Sequence, residues 1–308
     1  MGNTAFLFPG QGSQFVGMGL SFVESSPSAK TRVEEACDAL GFDIWKLITD
    51  GPEQELALTS NTQPAILLVS ALAYDALMNA KPVTPVAVAG HSLGEFSACW
   101  AAEVFSFRDA IRLVRKRGEL MQSAVPQGEG AMAAVIGLTP EVVAEACVEA
   151  GGSVAPANFN SPEQTVIAGA ASDVEKAMEA LKSRGAKKIV KLQVSAPFHT
   201  NLMKPAQEGL ARFMEMIEFH DPEFPVIRNV DAGVSMTAAE VKDGLLRQVT
   251  GCVRWVDSMR LLPAMGVGRV VELGPGKVLA GLMKRIDKTV EAVSVGSVEE
   301  LLKAVETL

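Results

Sequence analysis

The chain changes from strand to helix within Val83-Thr84-Pro85-Val86-Ala87-Val88-Ala89-Gly90-His91-Ser92-Leu93-Gly94-Glu95-Phe96-Ser97-Ala98. The first half is apolar and rich in β-branched residues, which is typical of a strand buried on both faces. The last residues begin a helix, with Glu95 in its first turn, where the helix dipole favours an acid. Between them lies a G-x-S-x-G pentapeptide, Gly90 to Gly94, and this order of strand, sharp turn and helix is the context of a nucleophile elbow.

An elbow of this kind makes Ser92 a candidate nucleophile. The flanking glycines allow a tight turn that exposes the serine oxygen at the carboxyl end of the strand. The backbone N–H of Leu93, at the start of the helix, then faces a developing oxyanion. The alternative is a glycine-rich turn that carries a serine by coincidence. The elbow predicts an α/β-hydrolase-like main domain with a parallel sheet.

A second glycine-rich loop follows the predicted first strand, Thr4 to Phe8. Gly10 and Gly12 begin the dinucleotide-binding pattern G-x-G-x-x-G, but Phe15 stands at the third glycine position and excludes it. The backbone N–H of Gln11 is instead a candidate anion donor. An ordinary turn is the alternative interpretation of this loop.

The pattern changes over residues 129–194. Strands are predicted at Ala131–Ile136, near Val154–Asn158 and Thr165–Ala168, and at Lys188–Val194. A helix begins after Thr139, and a second is predicted to begin with a capping box of Ser172 and Glu175. The order β-α-β-β-α-β predicts a smaller ferredoxin-like domain at 129–194, inserted into a main domain of residues 1–128 and 195–308.

The three histidines are His91, His199 and His220. His91 is adjacent to Ser92, and neighbours on a tight turn usually point apart. His220 lies in a polar connector, whereas His199 returns to the main domain directly after the inserted one. His199 is therefore the best candidate for a general base, with a structural histidine as the alternative.

The helix predicted over Arg108–Met121 carries five basic residues: Arg108, Arg112, Arg115, Lys116 and Arg117. Most are expected to be solvated. Arg117 differs because it precedes Gly118 near the end of the helix, where it can face a cleft. Local sequence alone favours a surface position even for this residue.

Composition excludes several classes of protein. The 308 residues are 48% hydrophobic and 21% charged, and their formal charge of −8 argues against general nucleic-acid binding. Four cysteines, widely spaced, indicate reduced thiols rather than disulfides or a zinc site. No metal-ligand cluster, membrane-spanning run or signal peptide is apparent, so we expect a cytoplasmic protein without a metal.

Four motifs in order resemble the bacterial malonyl-CoA:acyl carrier protein transacylases of type II fatty acid synthesis. They are Phe8-Pro9-Gly10-Gln11-Gly12-Ser13-Gln14, Gly90-His91-Ser92-Leu93-Gly94-Glu95, Arg117-Gly118 and Ser195-Ala196-Pro197-Phe198-His199. The similarity extends over the whole chain, including Asn61-Thr62-Gln63-Pro64-Ala65 and Gln248-x-x-x-x-Val253-Arg254-Trp255.

The resemblance implies a role for each matching position. Ser92 is the nucleophile and His199 the base, held by the backbone carbonyl of Gln248 rather than by an acid. The N–H groups of Gln11 and Leu93 form the oxyanion hole. Arg117 binds the malonyl carboxylate, with Gln63 beside it.

The same resemblance implies the substrates, a CoA thioester and a phosphopantetheinylated acyl carrier protein, with no cofactor. We expect a monomer that docks the carrier protein transiently, and the basic pairs Lys187-Lys188 and Lys284-Arg285 are the hypothesis for that surface. A serine hydrolase or thioesterase with the same elbow is the nearest alternative, although a hydrolase of neutral esters needs no buried cation. A non-catalytic acyl-binding protein would lack Ser92 or His199, and both are present.

Overall fold

A computed structural model of the chain describes residues 3–194 and 196–308. The boundaries predicted at Met1 and Ser195 therefore lie outside the described residues, as does Gly2. The strands are β1 (Thr4–Phe8), β2 (Val88–Gly90), β3 (Gly130–Ile136), β4 (Ala155–Ser161), β5 (Gln164–Ala170), β6 (Lys188–Lys191), β7 (Val226–Ile227), β8 (Val234–Ser235), β9 (Arg269–Leu273) and β10 (Glu291–Val295).

The helices alternate with these strands along much of the chain. They are α1 (Leu20–Ser25), α2 (Pro27–Leu40), α3 (Ile44–Asp50), α4 (Glu53–Leu56), α5 (Thr59–Ala80), α6 (Leu93–Ala101), α7 (Phe107–Ser123), α8 (Pro140–Ala150), α9 (Ala171–Ser183), a 3-10 helix (Asn201–Met203), α10 (Lys204–Met214), α11 (Ala238–Thr250), α12 (Trp255–Ala264), α13 (Val278–Ile286) and α14 (Val298–Thr307).

The main sheet has six strands in the order β10-β9-β1-β2-β7-β8. Neighbouring strands from β10 through β7 pair in parallel, and β8 adds an antiparallel edge to β7. All five residues of β1 are buried, because two hydrophobic clusters cover the opposite faces of the sheet. The prediction of an α/β main fold with a parallel sheet is confirmed.

The strand that leads into the elbow is shorter than predicted. The sequence indicated a strand from Val83, but β2 begins at Val88. Pro82 and Pro85 lie in the preceding segment and lack the N–H that a ladder needs. Contact with β1 begins only after them, where Val86 N–H donates to Thr4 O at 2.8 Å. In β2, Gly90 pairs with Phe8 of β1, which brings both glycine-rich loops to the same edge of the sheet.

A second sheet is antiparallel and has the order β4-β5-β3-β6. Its strands and helices follow one another as β3-α8-β4-β5-α9-β6, and a hydrophobic cluster fills the space between the strands and the two helices. Two backbone hydrogen bonds join this unit to the main one: Phe159 N–H donates to Val253 O at 2.9 Å, and Val253 N–H donates to Ala157 O at 2.8 Å.

The predicted capping box of Ser172 and Glu175 was wrong. Helix α9 begins at Ala171, so Ser172 and Glu175 lie inside it, and its N-cap residue makes no side-chain hydrogen bond. A capping box forms instead at α11, between Thr237 and Glu240. Strand β7 ends at Ile227, because the chain turns back there to pair with β8.

In the ranges 3–194 and 196–308, no helix is both long and apolar enough to span a membrane.

Candidate active site

Ser92 occupies a strained turn between β2 and α6. Its backbone φ is 53° and its ψ is −106°, a conformation that L residues rarely adopt. A Cβ added to Gly90 would lie 1.9 Å from the carbonyl carbon of Gly94, and one added to Gly94 would lie 2.0 Å from Phe8 O. Only glycine fits at these two positions, so the pentapeptide forms a nucleophile elbow packed directly on β1.

His199 lies directly against Ser92, with its Nε2 2.7 Å from Ser92 Oγ. Its other ring nitrogen, Nδ1, is 2.8 Å from the backbone carbonyl oxygen of Gln248. A carbonyl oxygen only accepts, so Nδ1 carries the hydrogen and Nε2 is left as the acceptor for the serine proton. The structure thus brings together the three residues that the sequence proposed as nucleophile, base and orienting group.

The pKa of His199 falls from its usual 6.5 to about 3, first because the ring is buried and second because the Arg117 cation is close. The imidazole is therefore neutral in solutions near pH 7, which is the form that can accept a proton. The other two histidines do not reach the serine. His91 Nε2 is 2.8 Å from Asn160 Oδ1, and His220 is exposed.

Arg117 is buried, with 2% of its surface exposed, although the other basic residues of α7 are partly or fully exposed. Its guanidinium donates to Gln63 Oε1 at 2.8 Å, to Ser92 Oγ at 3.0 Å and to Gln248 Oε1 at 2.8 Å. Burial lowers the pKa of Arg117 to about 10, so the side chain keeps its charge at neutral pH. Within the described part of the chain its Nε has no hydrogen-bond partner.

The next residue explains how Arg117 reaches the site. A Cβ on Gly118 would lie 2.7 Å from Ser60 Cα and from Thr59 O, both on α5. Because Gly118 has no side chain, α7 approaches α5 closely. This approach places Arg117 of α7 beside Gln63 of α5.

The two predicted oxyanion donors lie on loops that touch each other. A Cβ on Gly10 would be 2.4 Å from His91 O, so the loop that carries Gln11 packs against the elbow. The side chain of Gln11 is held by Thr59, whose hydroxyl donates to Gln11 Oε1 at 2.7 Å. Leu93 begins α6, where backbone N–H groups point out of the helix. The structure therefore places Gln11 and Leu93 on two loops in contact beside Ser92.

A cleft of about 450 Å³ opens beside this loop. The main unit contributes Gln11, Thr59 and Phe198 to its lining, and the segment after β6 contributes Gln193 and Val194. The cleft thus lies between the two units, and Phe198, the residue before His199 in the chain, is part of its lining. No group of three or more His, Cys, Asp or Glu side chains that could hold a metal is found among residues 3–194 and 196–308.

Two residues of the site were not predicted from the sequence. Asn229 follows β7 and holds the elbow from below: its Oδ1 accepts from the Ser92 backbone N–H at 2.6 Å, and its Nδ2 donates to Gly90 O at 2.7 Å. Its position after a parallel strand was a usable signal, since ligands bind at the carboxyl ends of such strands. Glu95 was interpreted only as a helix-dipole residue, yet it is buried and hydrogen-bonded to Gln248 at 2.8 Å.

Comparison with known proteins decides the family. The acyl transferase domain family matches residues 5–305. A malonyl CoA-acyl carrier protein transacylase of Bacillus subtilis is 45% identical over 100% of this chain and 98% of its own length. One from Escherichia coli K12 is 46% identical, with 98% of each chain covered. This chain belongs to the malonyl CoA-acyl carrier protein transacylase family.

Solved transacylase structures agree closely with the fold. An acyl carrier protein S-malonyltransferase from Vibrio cholerae superposes with a TM-score of 0.96 at 46% identity, covering 98% of this chain and 99% of that one. A malonyl-transacylase solved in complex with a type II PKS acyl-carrier protein gives 0.97 at 45% identity, covering 99% and 100%. The family resemblance predicted from the four motifs is confirmed.

Proposed function

We propose that this chain transfers a malonyl group from malonyl-CoA to the phosphopantetheine thiol of an acyl carrier protein, through a malonyl-serine intermediate. The relatives that cover its full length carry the name of this activity. The observation that carries the proposal is the 3.0 Å contact between the Arg117 guanidinium and the Ser92 hydroxyl. A malonyl group has one methylene between its carboxylate and its thioester carbonyl, so the cation and the nucleophile must lie this close together to engage both ends.

The first half-reaction acylates the enzyme. Arg117 binds the malonyl carboxylate through two parallel hydrogen bonds, which sets the thioester carbonyl over Ser92. His199 Nε2 takes the serine proton as Oγ forms a bond to the carbonyl carbon. The tetrahedral intermediate then collapses, the C–S bond breaks, and the CoA sulfur leaves with the proton from His199.

The second half-reaction reverses these roles. The pantetheine thiol of the carrier protein gives its proton to His199 Nε2 and its sulfur attacks the malonyl-serine carbonyl. The C–O bond to Ser92 breaks, and the proton returns to Oγ. In both halves the N–H groups of Gln11 and Leu93 stabilise the oxyanion, and each such donor lowers the barrier by about 3 kcal/mol.

Finer features belong to the same proposal. The strand order β4-β5-β3-β6 supports a ferredoxin-like domain inserted at 129–194. We also propose a cytoplasmic location, a monomeric state and a reaction that needs only malonyl-CoA and the pantetheine thiol of the carrier protein. One relative was solved with an acyl-carrier protein, and the exposed Lys187-Lys188 and Lys284-Arg285 pairs are our candidates for the corresponding surface here.

The experiment that tests this function is intact-mass measurement after incubation with malonyl-CoA. The unaltered protein should gain one malonyl group, and Ser92→Ala should gain none. Transfer of the malonyl group from the enzyme to the carrier protein distinguishes a transacylase from a thioesterase, which would release free malonate. A stoichiometric adduct on Ser92→Ala would overturn the assignment of the nucleophile.

A further inference from the structure

Glu95 is a buried acid that the mechanism above does not use. It lies in the first turn of α6, where an acid usually faces solvent, yet 1% of its surface is exposed. One carboxylate oxygen, Oε2, accepts two hydrogen bonds. The donors are Gln248 Nε2 at 2.8 Å and the backbone N–H of Asn229 at 3.0 Å. The carboxylate is therefore directed at the residues beneath the nucleophile rather than at the helix terminus.

Gln248 connects this acid to the rest of the site. Its side-chain nitrogen also donates to Ser92 O at 2.9 Å, so both hydrogens of the NH₂ group are engaged. Its side-chain oxygen accepts from Arg117 at 2.8 Å, and its backbone oxygen holds His199 at 2.8 Å. Gln248 is fully buried, so any of these groups left without a partner would carry a desolvation penalty.

We propose that Glu95 is a positioning residue: it fixes the side-chain amide of Gln248, and through that amide it sets the Arg117 guanidinium against Ser92. In the structure Glu95 Oε2 is the acceptor for both the Asn229 N–H and Gln248 Nε2. Gln248 must therefore turn its NH₂ toward Glu95, and its oxygen then faces Arg117. The inference rests on the proposed function, because the position of Arg117 matters for an acyl substrate that carries a free carboxylate.

This role predicts a selective loss. Glu95→Ala leaves one amide hydrogen of Gln248 unpaired and frees the amide to move, so Arg117 loses a fixed partner. Malonyl transfer should fall roughly 10- to 100-fold, the scale of one charge-assisted hydrogen bond. Acetyl-CoA has no carboxylate for Arg117, so acetylation of Ser92 should fall several-fold less. A merely structural role would reduce both reactions equally.

The sharpest test is a double-mutant cycle with Gln248→Ala, which keeps the backbone carbonyl that holds His199. Acylation of Ser92 by malonyl-CoA and by acetyl-CoA is measured by intact mass at matched times. If Glu95 acts through the Gln248 side chain, adding Glu95→Ala to Gln248→Ala should change the malonyl-to-acetyl ratio less than twofold. Additive effects of the two changes, or equal losses for both substrates, would overturn the proposal.

Glu272 offers a matched control. It is also a fully buried acid that accepts backbone N–H groups, from Leu279 and Ala280, and it forms no hydrogen bond with the site residues described above. Glu272→Ala should lower stability and leave the malonyl-to-acetyl ratio unchanged. If Glu95→Ala does not fold, Glu95→Gln replaces it in the test. The neutral amide oxygen of the new glutamine accepts a weaker hydrogen bond, so the malonyl-to-acetyl ratio should shift partway toward acetyl. An unchanged malonyl-to-acetyl ratio would overturn the proposal. Absence of any malonyl adduct on the unaltered protein would instead refute the proposed function.

Discussion

Arg117 Nη2 and Ser92 Oγ are 3.0 Å apart, so the cation of the site lies directly on its nucleophile. Arg117 is also held by Gln63 and by Gln248. A guanidinium fixed on two sides has little freedom to follow a longer acyl chain. We therefore expect the pair to favour an acyl group whose free carboxylate is one methylene from the reacting carbonyl.

Arg117→Ala should lose malonyl transfer and spare acetyl transfer. Without the guanidinium, the malonyl carboxylate is buried and unpaired, which costs about 3–5 kcal/mol, or two to three decades in rate. Acetyl-CoA lacks the carboxylate and escapes this penalty. Initial rates with both substrates, together with a melting temperature, check the prediction. Equal losses in a variant of normal stability would reopen the hydrolase alternative.

The stability of the protein should carry a pH signature from Glu95. Burial raises the pKa of this carboxyl from 4.5 to about 7, even though Gln248 and Asn229 hydrogen-bond to it. Between these two pH values the folded protein binds more protons than the unfolded chain. The free energy of unfolding therefore falls as the pH rises from about 4.5 to 7.

Glu95→Gln does not titrate and should remove that loss. The loss in free energy of unfolding is about 3 kcal/mol between pH 4.5 and 7, by the standard conversion of a pKa difference into free energy. Urea unfolding of both proteins at several pH values gives the comparison. Parallel stability curves for the variant and the unaltered protein would show that Glu95 does not titrate in this window.

Gly118→Ala tests whether the close approach of α7 to α5 sets the position of Arg117. The added methyl would meet Ser60 Cα at 2.7 Å, so the helices must separate, at a cost of about 1–3 kcal/mol. Malonyl transfer should fall as well, because Arg117 moves with its helix.

Gly281→Ala in α13 is the matched control. No atom lies within 4 Å of its added Cβ, so the change should raise stability by up to about 1 kcal/mol through helix propensity. Chemical unfolding and malonyl acylation are measured on both variants. A Gly118→Ala protein as stable as Gly281→Ala would contradict the packing argument.

The carrier-protein surface is tested by charge reversal. Lys188 and the Lys284-Arg285 pair are exposed, and Lys187 is exposed beside Glu163, with which it forms a 3.3 Å ion pair. Reversing Lys187-Lys188 or Lys284-Arg285 should raise KM for an acidic carrier protein several-fold at low salt, and added salt should narrow the difference. KM for malonyl-CoA should not change.

Reversal at Lys30, an exposed lysine of α2 outside both pairs, serves as the control. A carrier-protein KM that responds equally to Lys30 and to the chosen pairs would remove these pairs from the docking hypothesis.

Local sequence determined those features that depend on neighbouring residues. The elbow follows from an apolar strand, two glycines and a helix start that lie together in the chain, and the structure has them in that order. The long buried helix α5 follows from a run that is apolar nearly all round. The elbow was enough to predict a parallel sheet, but not the residue at which β2 begins.

Tertiary structure decided which polar side chains meet. Ser92 and His199 are 107 positions apart, and Ser92 and Gln248 are 156 apart, so no local pattern relates them. The burial of Arg117 depends on how closely α7 packs on α5, which the five basic residues of its helix do not reveal. Family motifs pointed to Arg117 and Gln248, whereas Glu95 and Asn229 emerged only from the fold. Their hydrogen bonds form because the packed core excludes water from beneath the elbow, and a buried acid must then find its partners within the protein.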